Sequence, residues 1–144
     1  MPEPVPTSKP KPLHLGILQT DSVLEDLQPR FGDYPSMFED LFRAADPTMR
    51  FTTYNVQQAL PASLDCDAYL ITGCKLSVYD DLPWIAELAD FVRMAMAAQK
   101  KILGICFGQR VSLVVVLHQQ KQEYAGIIDS MLGCNKGYGY IKRP

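Results

Sequence analysis

The stretch KKILGICFGQR, residues 100–110, joins a short apolar run to a cysteine that stands between two glycines, and then turns polar. The apolar run, Lys101–Ile105, has the length and composition of a buried strand. Cys106 follows at its end, in the pattern Gly-x-Cys-x-Gly of residues 104–108. This pattern is typical of a nucleophile elbow, a tight turn that leads from a strand into a helix and exposes a nucleophilic side chain.

Each position of GICFG has a physical reason in such a turn. The nucleophile takes a strained backbone conformation, and side chains two residues away on either side would clash with it, which explains Gly104 and Gly108. The turn would place the sulfur of Cys106 at the N-terminus of the next helix, where free amides and the helix dipole favour a thiolate. The competing interpretation is a buried structural cysteine in a glycine-containing turn. The apolar strand before the pattern favours the elbow.

Strands and helices alternate along the rest of the chain. A helix with an apolar stripe is predicted over Met37–Ala45, with Ser36 as its N-cap. A second helix begins at Pro83, and Asp80 and Asp81 are predicted to cap it. The predicted strands are Leu13–Thr20, Met49–Val56, Ala68–Thr72 and Lys101–Ile105. This alternation is typical of a doubly wound α/β fold with a mainly parallel sheet, in which functional sites gather at the carboxyl ends of the strands.

Composition and charge narrow the classes of function. The 144 residues are 47% hydrophobic, which supports one domain, residues 13–144, after a proline-rich disordered lead-in, residues 1–12. The net charge of −2, with acids and bases mixed, predicts no nucleic acid and no anionic membrane as partner. The sequence shows neither an apolar run long enough to span a bilayer nor a secretory signal. It has no glycine-rich phosphate loop, and no cofactor is predicted.

The cysteines indicate a reducing compartment. They show no CxxC spacing, which argues against a metal site and against a redox pair. In the absence of an export signal, they are expected to be reduced thiols of a cytoplasmic protein. They are Cys66, Cys74, Cys106 and Cys134.

Several segments together resemble the class I glutamine amidotransferases, and most closely their stand-alone, GMP-synthase-like members. KKILGICFG is similar to the nucleophile segment of that family, and YLITGCKLSVYDDLPWIAELADFV is similar to the segment after its third strand. LGILQTD and RFGDYPSMFEDLFRA also fit this subgroup. The resemblance covers roughly residues 13–108. It implies a flavodoxin-like sheet of the amidotransferase kind.

The resemblance also implies a reaction. A cysteine thiolate attacks the side-chain amide of glutamine, ammonia leaves, and water cleaves the glutamyl thioester. By this resemblance Cys106 would be the nucleophile, and the backbone amides of Gly73 and Phe107 would form the oxyanion hole. Glutamine would be the substrate, and the acceptor of ammonia would belong to a partner domain or protein.

The sequence departs from this family after Gly108. The family continues with His-Gln, whereas this chain has Gln109-Arg110. The His-x-Glu pair, which supplies the family's base and the glutamate that orients it, has no match in the sequence. His14 is followed by Leu-Gly and His118 by Gln-Gln, and both are predicted to be surface or boundary histidines.

Three interpretations are open for this departure: a truncated or frameshifted gene product, which we favour, a fragment completed by another chain, and a pseudoenzyme. The sheet is expected to be incomplete at its C-terminal side, and without the missing half its exposed edge and apolar face would make the chain alone poorly soluble or oligomeric. The predicted function is glutamine hydrolysis, and the alternative is an inactive relative with a binding or scaffold role. A third class, the elbow-cysteine chaperones and peptidases, usually has an acid near the thiol, for which this chain offers only Asp21.

Overall fold

The structure is a computed structural model that describes residues 9–116. Within this range the chain forms four strands and four helices, with two helices between the first and second strands and, contrary to the predicted alternation, none between the second and third. The strands are β1 (His14–Gln19), β2 (Arg50–Asn55), β3 (Ala68–Ile71) and β4 (Lys101–Gly104). The helices are α1 (Gln28–Phe31), α2 (Tyr34–Ala45), α3 (Pro83–Ala97) and α4 (residues 107–116).

The strands form one parallel sheet in the order β2-β1-β3-β4. The register places Ile17 of β1 beside Thr53 of β2 and Leu70 of β3, and Tyr69 of β3 beside Ile102 of β4. Because all these strands run the same way, their carboxyl ends meet at one edge, and the order reverses between β1 and β3. The predicted fold class, an α/β flavodoxin-like arrangement with a parallel sheet, is confirmed.

Helices cover both faces of the sheet. On one face, Leu15, Ile17 and Leu70 pack against side chains of α2. On the other face, Tyr69 and Ile71 belong to a larger core that α3 and α4 complete. The ring of Tyr69 meets the ring of Phe91 in α3 edge-on, with the ring centroids 5.1 Å apart; the remaining buried residues of α3 are Ile85, Leu88, Val92 and Ala95. Alternation of the strand side chains thus buries apolar residues on both faces, although Leu103 of β4 stays exposed.

The predicted strands agree with the observed ones to within one residue at each end. The start of α2 was predicted wrongly, because the N-cap is Asp33 and not Ser36. The carboxylate of Asp33 accepts a hydrogen bond from the Tyr34 amide at 2.8 Å, while the hydroxyl of Ser36 donates to the Asp33 carbonyl from inside the first turn. Pro35 does not break the helix, since the first turn has no intrahelical use for its missing N–H.

The prediction that Asp80 and Asp81 cap α3 is also wrong. The N-cap of α3 is Leu82, and no side chain caps it. The carboxylate of Asp80 instead accepts a hydrogen bond from the Ser77 amide at 2.8 Å, which closes a turn before the helix. The predicted helix start at Pro83 is confirmed.

The predicted ends of the chain are only partly covered by the structure. Residues 9–12 form neither helix nor strand, and the rest of the predicted lead-in lies outside the described residues. The predictions for Cys134 and His118 also lie outside them. In the part of the chain that the structure describes, no helix has the length and hydropathy needed to cross a bilayer.

Packing of α3 on the sheet predicts a strong dependence of stability on Leu88, which is fully buried. Replacing Leu88→Ala should lower the free energy of unfolding by about 2–5 kcal/mol, since a cavity is left beneath the helix. Met94 lies on the same helix and is 58% exposed, so Met94→Ala should change it by less than about 0.5 kcal/mol. Urea denaturation of both variants measures the difference, and equal effects would contradict this arrangement of the core.

Candidate active site at the carboxyl edge of the sheet

Cys106 lies in a sharp turn between β4 and α4. Its backbone φ is +52°, in the left-handed region that residues with a side chain rarely adopt. The amide of Gly108 donates to the carbonyl of Ile105 at 3.0 Å, and the amide of Arg110 donates to the carbonyl of Cys106 at 3.2 Å, so α4 begins without an intervening loop. The side chain of Cys106 is exposed. A strained, exposed residue between a strand and a helix has the backbone geometry of a nucleophile elbow.

The two glycines around Cys106 have no room for a side chain. A Cβ atom on Gly104 would overlap the backbone of Gly108 and Gln109. A Cβ atom on Gly108 would lie 2.5 Å from the carbonyl oxygen of Ile71 and 2.6 Å from its Cβ. The first turn of α4 therefore lies directly against the end of β3, and only glycine permits this approach.

Gly73 lies beside Cys106. A Cβ atom built on Gly73 would be 3.9 Å from the Cβ of Cys106 and 4.0 Å from the carbonyl oxygen of Ile105, which are ordinary contact distances. Within residues 9–116, the structure records no hydrogen bond from the amide of Gly73 or of Phe107. The Phe107 ring, by contrast, is buried and packs against Trp84 of α3, with the ring centroids 5.7 Å apart. The fold thus brings together, from two strand ends, the three residues Gly73, Cys106 and Phe107.

Two buried threonines, which the sequence analysis did not single out, join the carboxyl ends of β1 and β3. The amide of Thr20 donates to the hydroxyl oxygen of Thr72 at 3.0 Å. The hydroxyl of Thr20 lies 3.0 Å from the carbonyl oxygen of Thr72 and 2.9 Å from that of Gly73. The only signal in the sequence is that both predicted strands end in threonine, in LGILQT and AYLIT.

The loop after Gly73 is tied to β1 by Asp21. One carboxylate oxygen of Asp21 accepts a hydrogen bond from the Lys75 amide at 3.1 Å, and the other accepts from the Ser22 amide at 2.9 Å. The thiol near this carboxylate is that of Cys74, whose pKa is raised by burial and further by the charge of Asp21. Asp21 therefore orders the loop beside the site.

His14 lies far from this site. It stands at the amino end of β1, where its Nε2 is 2.7 Å from the Thr52 hydroxyl and 3.7 Å from the sulfur of Cys66. Cys106 lies beyond the carboxyl end of β4, so the length of a strand, on the order of 15–20 Å, separates the two. His14 is a partly buried residue at the opposite edge of the sheet, as predicted.

The residues needed for a metal centre do not come together in the described range. Between residues 9 and 116, no group of three or more histidine, cysteine or acidic side chains is placed to hold a metal ion. The cysteines of this range, Cys66, Cys74 and Cys106, are free thiols.

Comparisons with known proteins give the family context of this site. No protein-family model matches the chain. A glutamine amidotransferase-like protein of Schizosaccharomyces pombe is 29% identical over 112 residues, which cover 68% of this chain and 45% of that protein. Gamma-glutamyl peptidase 4 of Arabidopsis thaliana is 28% identical over 85 residues, which cover 56% of this chain and 33% of the peptidase. The crystal structure of a glutamine amidotransferase from Methylobacillus flagellatus superposes with a TM-score of 0.52 at 25% identity, over 73% of this chain and 38% of that one.

The sheet order and the elbow define an α/β domain with an exposed cysteine at its functional edge. The similarity to a glutamine amidotransferase-like protein and to a solved glutamine amidotransferase supports a class I glutamine amidotransferase-like domain, and the resemblance seen in the sequence is confirmed at that level. The chain spans less than half the length of the curated relatives it matches.

The glycines of the elbow predict a contrast in stability. Gly104→Ala and Gly108→Ala should each lower the free energy of unfolding by about 1–3 kcal/mol or more, because the added methyl group meets backbone atoms. Gly73→Ala should leave it unchanged or raise it by up to about 1 kcal/mol, since its Cβ has room and its φ is not in the left-handed region. Thermal and urea unfolding of the three variants measure this, and a loss in Gly73→Ala as large as in the other two would contradict the geometry.

The described thiols should differ in reactivity. Iodoacetamide reacts with the thiolate, and burial raises the pKa of both Cys66 and Cys74. At pH 7 these two stay protonated, and their labelling should rise only as the pH increases through their raised pKa values, whereas the exposed Cys106 should react first. Peptide mass spectrometry measures the order, with the urea-unfolded chain as control. Labelling of Cys66 before Cys106 would contradict the described burial.

Proposed function

We propose that the chain hydrolyses glutamine to glutamate and ammonia through a thioester on Cys106. The observation that carries this proposal is the strained, exposed Cys106 at φ +52°, with Gly73 so near that a Cβ atom built on it would lie 3.9 Å from the Cβ of Cys106. Strain of this kind persists only where the surrounding structure imposes it, and it is concentrated at functional sites. The likeness to a glutamine amidotransferase-like protein supports glutamine as the substrate.

In the proposed reaction, the sulfur of Cys106 forms a bond to the side-chain carbonyl carbon of glutamine, and the carbonyl electron pair moves onto the oxygen. The amides of Gly73 and Phe107 are proposed to hold this oxyanion, since neither donates a hydrogen bond to another described residue. When the carbonyl re-forms, the C–N bond breaks and the nitrogen leaves as ammonia with the proton it gains. Water then attacks the thioester, which releases glutamate and the thiol. Donors placed in advance where charge develops are commonly the largest single contribution to catalysis.

Proton transfer is the part of the reaction that residues 9–116 do not supply. Their one histidine, His14, is at the far edge of the sheet, and the sequence contains no His-x-Glu pair. We propose that water, a group outside the described range or a partner chain takes this role. The same observation favours the second candidate function, an inactive relative that keeps the fold and serves in binding or as a scaffold.

The proposed reaction would take place in a reducing compartment and would need an acceptor for the ammonia. The free thiols of the described range fit the cytoplasm that the sequence analysis predicted. An acceptor domain, or self-association of the chain, stays a prediction. Because gamma-glutamyl peptidase 4 is also similar, a γ-glutamyl peptide, which presents the same acyl group as glutamine, is a second substrate to test.

Glutamate release by the purified chain tests the proposal. Wild-type protein should release glutamate from glutamine, and Cys106→Ser should release it at least about a thousandfold more slowly, because the nucleophile is lost. Cys74→Ser is the matched control and should keep the wild-type rate, since its thiol is half-buried beside Asp21. A rapid quench followed by intact-mass spectrometry should show the glutamyl adduct in wild type and Cys74→Ser but not in Cys106→Ser. Equal rates in wild type and Cys106→Ser would refute the proposal, and inertness of both would favour the scaffold function.

A further inference from the structure

The hydroxyl of Thr20 is placed to control the direction of the Gly73 amide. Thr20 stands at the carboxyl end of β1 with 1% of its surface exposed, and Thr72 stands beside it at the end of β3, fully buried. The Thr20 hydroxyl lies 3.0 Å from the Thr72 carbonyl oxygen and 2.9 Å from the Gly73 carbonyl oxygen. It therefore contacts the carbonyl on each side of Gly73.

The first contact determines where the Gly73 amide points. The Thr72 carbonyl and the Gly73 N–H belong to one planar trans peptide, in which C=O and N–H point in opposite directions. The Thr72 carbonyl is turned toward β1, where Thr20 lies, so the Gly73 N–H is turned toward the other side of β3. The strand on that side is β4, and Cys106 follows it.

The second contact determines where the Gly73 carbonyl points. This oxygen is held at 2.9 Å from the Thr20 hydroxyl, on the β1 side of the loop. A carbonyl oxygen turned to the Cys106 side would instead place a partial negative charge where an oxyanion forms. The Thr20 hydroxyl therefore keeps an acceptor away from the site while it helps to aim a donor into it.

The Thr20 hydroxyl and the carbonyls of Thr72 and Gly73 keep their arrangement because Thr20 and Thr72 make further hydrogen bonds. The Thr20 amide donates to the Thr72 hydroxyl oxygen at 3.0 Å, the two hydroxyl oxygens are 3.1 Å apart, and the Thr72 amide donates to the carbonyl of Leu18 at 3.1 Å. On the other side, the Gln57 side-chain amide donates to the Thr20 carbonyl at 2.7 Å. Buried networks whose members are all paired hold a unique arrangement.

We infer that Thr20 is a positioning residue of the site: its hydroxyl, whose one proton is shared between the carbonyl oxygens of Thr72 and Gly73, keeps both carbonyls turned toward β1 and thereby directs the Gly73 amide to the oxyanion formed at Cys106. This inference rests on the proposed function, but its structural half is independent of turnover. Among the described residues the structure records no hydrogen bond between Thr20 and Cys106, so Thr20 is assigned an effect through the Gly73 peptide.

Steady-state kinetics with glutamine test the inference on the full chain. Thr20→Val keeps the shape of the side chain and removes the hydroxyl, so kcat should fall about tenfold or more while KM changes less than about threefold, as expected when a transition-state contact is lost. Thr20→Ser restores the hydroxyl and should return kcat to within about threefold of wild type. Alkylation of Cys106 by iodoacetamide develops no oxyanion and should keep its wild-type rate in Thr20→Val.

The matched control is Thr52→Val. It also removes a threonine hydroxyl that makes a hydrogen bond, but this hydroxyl is bonded to His14 at the opposite edge of the sheet. It should keep the wild-type kcat. A kcat in Thr20→Val equal to that of Thr52→Val would overturn the inference, and so would failure of Thr20→Ser to restore it. If Thr20→Val does not fold, Thr20→Ala replaces it.

A second readout separates this inference from the proposed function. In ¹H–¹⁵N spectra, the amide signals of Gly73 and Cys106 should move in Thr20→Val and stay in Thr20→Ser and Thr52→Val. If wild-type protein does not turn over glutamine, the proposed function fails and these spectra decide the inference. Unmoved signals in Thr20→Val would overturn it.

Discussion

The close approach of α4 to β3 is the constraint on which the edge of the sheet depends. Because α4 begins without a loop after β4, the chain must reverse within Ile105–Phe107, and Cys106 takes a positive φ as a result. The reversal brings Gly108 against Ile71, at a distance that leaves no space for a Cβ atom. The strain at Cys106 and the absence of a side chain at Gly108 therefore both accompany this close approach, while Gly104 has no room for a side chain because the backbone of Gly108 and Gln109 lies against it.

The same strand end is held from its other side by β1. The Thr72 amide donates a hydrogen bond to the Leu18 carbonyl, and the Thr72 hydroxyl oxygen accepts one from the Thr20 amide. These bonds extend the contact between β1 and β3 past their last paired residues, Leu18 and Ile71. The end of β3 is thus enclosed between α4 on one side and the Thr20 hydroxyl on the other. Gly73 follows this enclosed end, where the Thr72 amide donates to the Leu18 carbonyl and the Ile105 amide donates to the Ile71 carbonyl, so the residues just before Gly73 are held to both neighbouring strands. A site assembled in this way depends on the strand order, which brings the Thr20 hydroxyl and the first turn of α4 to the same strand end.

The sequence predicted the parts of this arrangement that have local causes. Apolar, β-branched runs located the strands to within one residue, and Gly-x-Cys-x-Gly located the turn. The cap of α2 was predicted wrongly because Asp33 and Ser36 are both good N-cap residues, and only the packing of the preceding loop decides between them. The pairing of Thr20 with Thr72 could not be predicted, since the two lie 52 residues apart and meet only because β1 and β3 are neighbours. A sequence shows which residues end a strand, but it does not show which residues of another strand lie beside them in the sheet.

The groups proposed for catalysis in the described residues owe their positions to the backbone. Cys106, the proposed nucleophile, lies in the turn between β4 and α4, and the proposed oxyanion donors are main-chain amides at the ends of two adjacent strands. Such elements follow from the fold of β1 to α4 and do not depend on a distant histidine. In the well-studied serine proteases, removal of the catalytic triad leaves a rate about 10³–10⁴ above that in water, which derives from oxyanion stabilisation and binding. A general base accelerates the reaction only where the nucleophile and the oxyanion donors are already positioned. If the turn at Cys106 and the neighbouring amides have these roles, a base brought to Cys106 from elsewhere would raise the rate, whereas a base without them would have no positioned nucleophile to deprotonate.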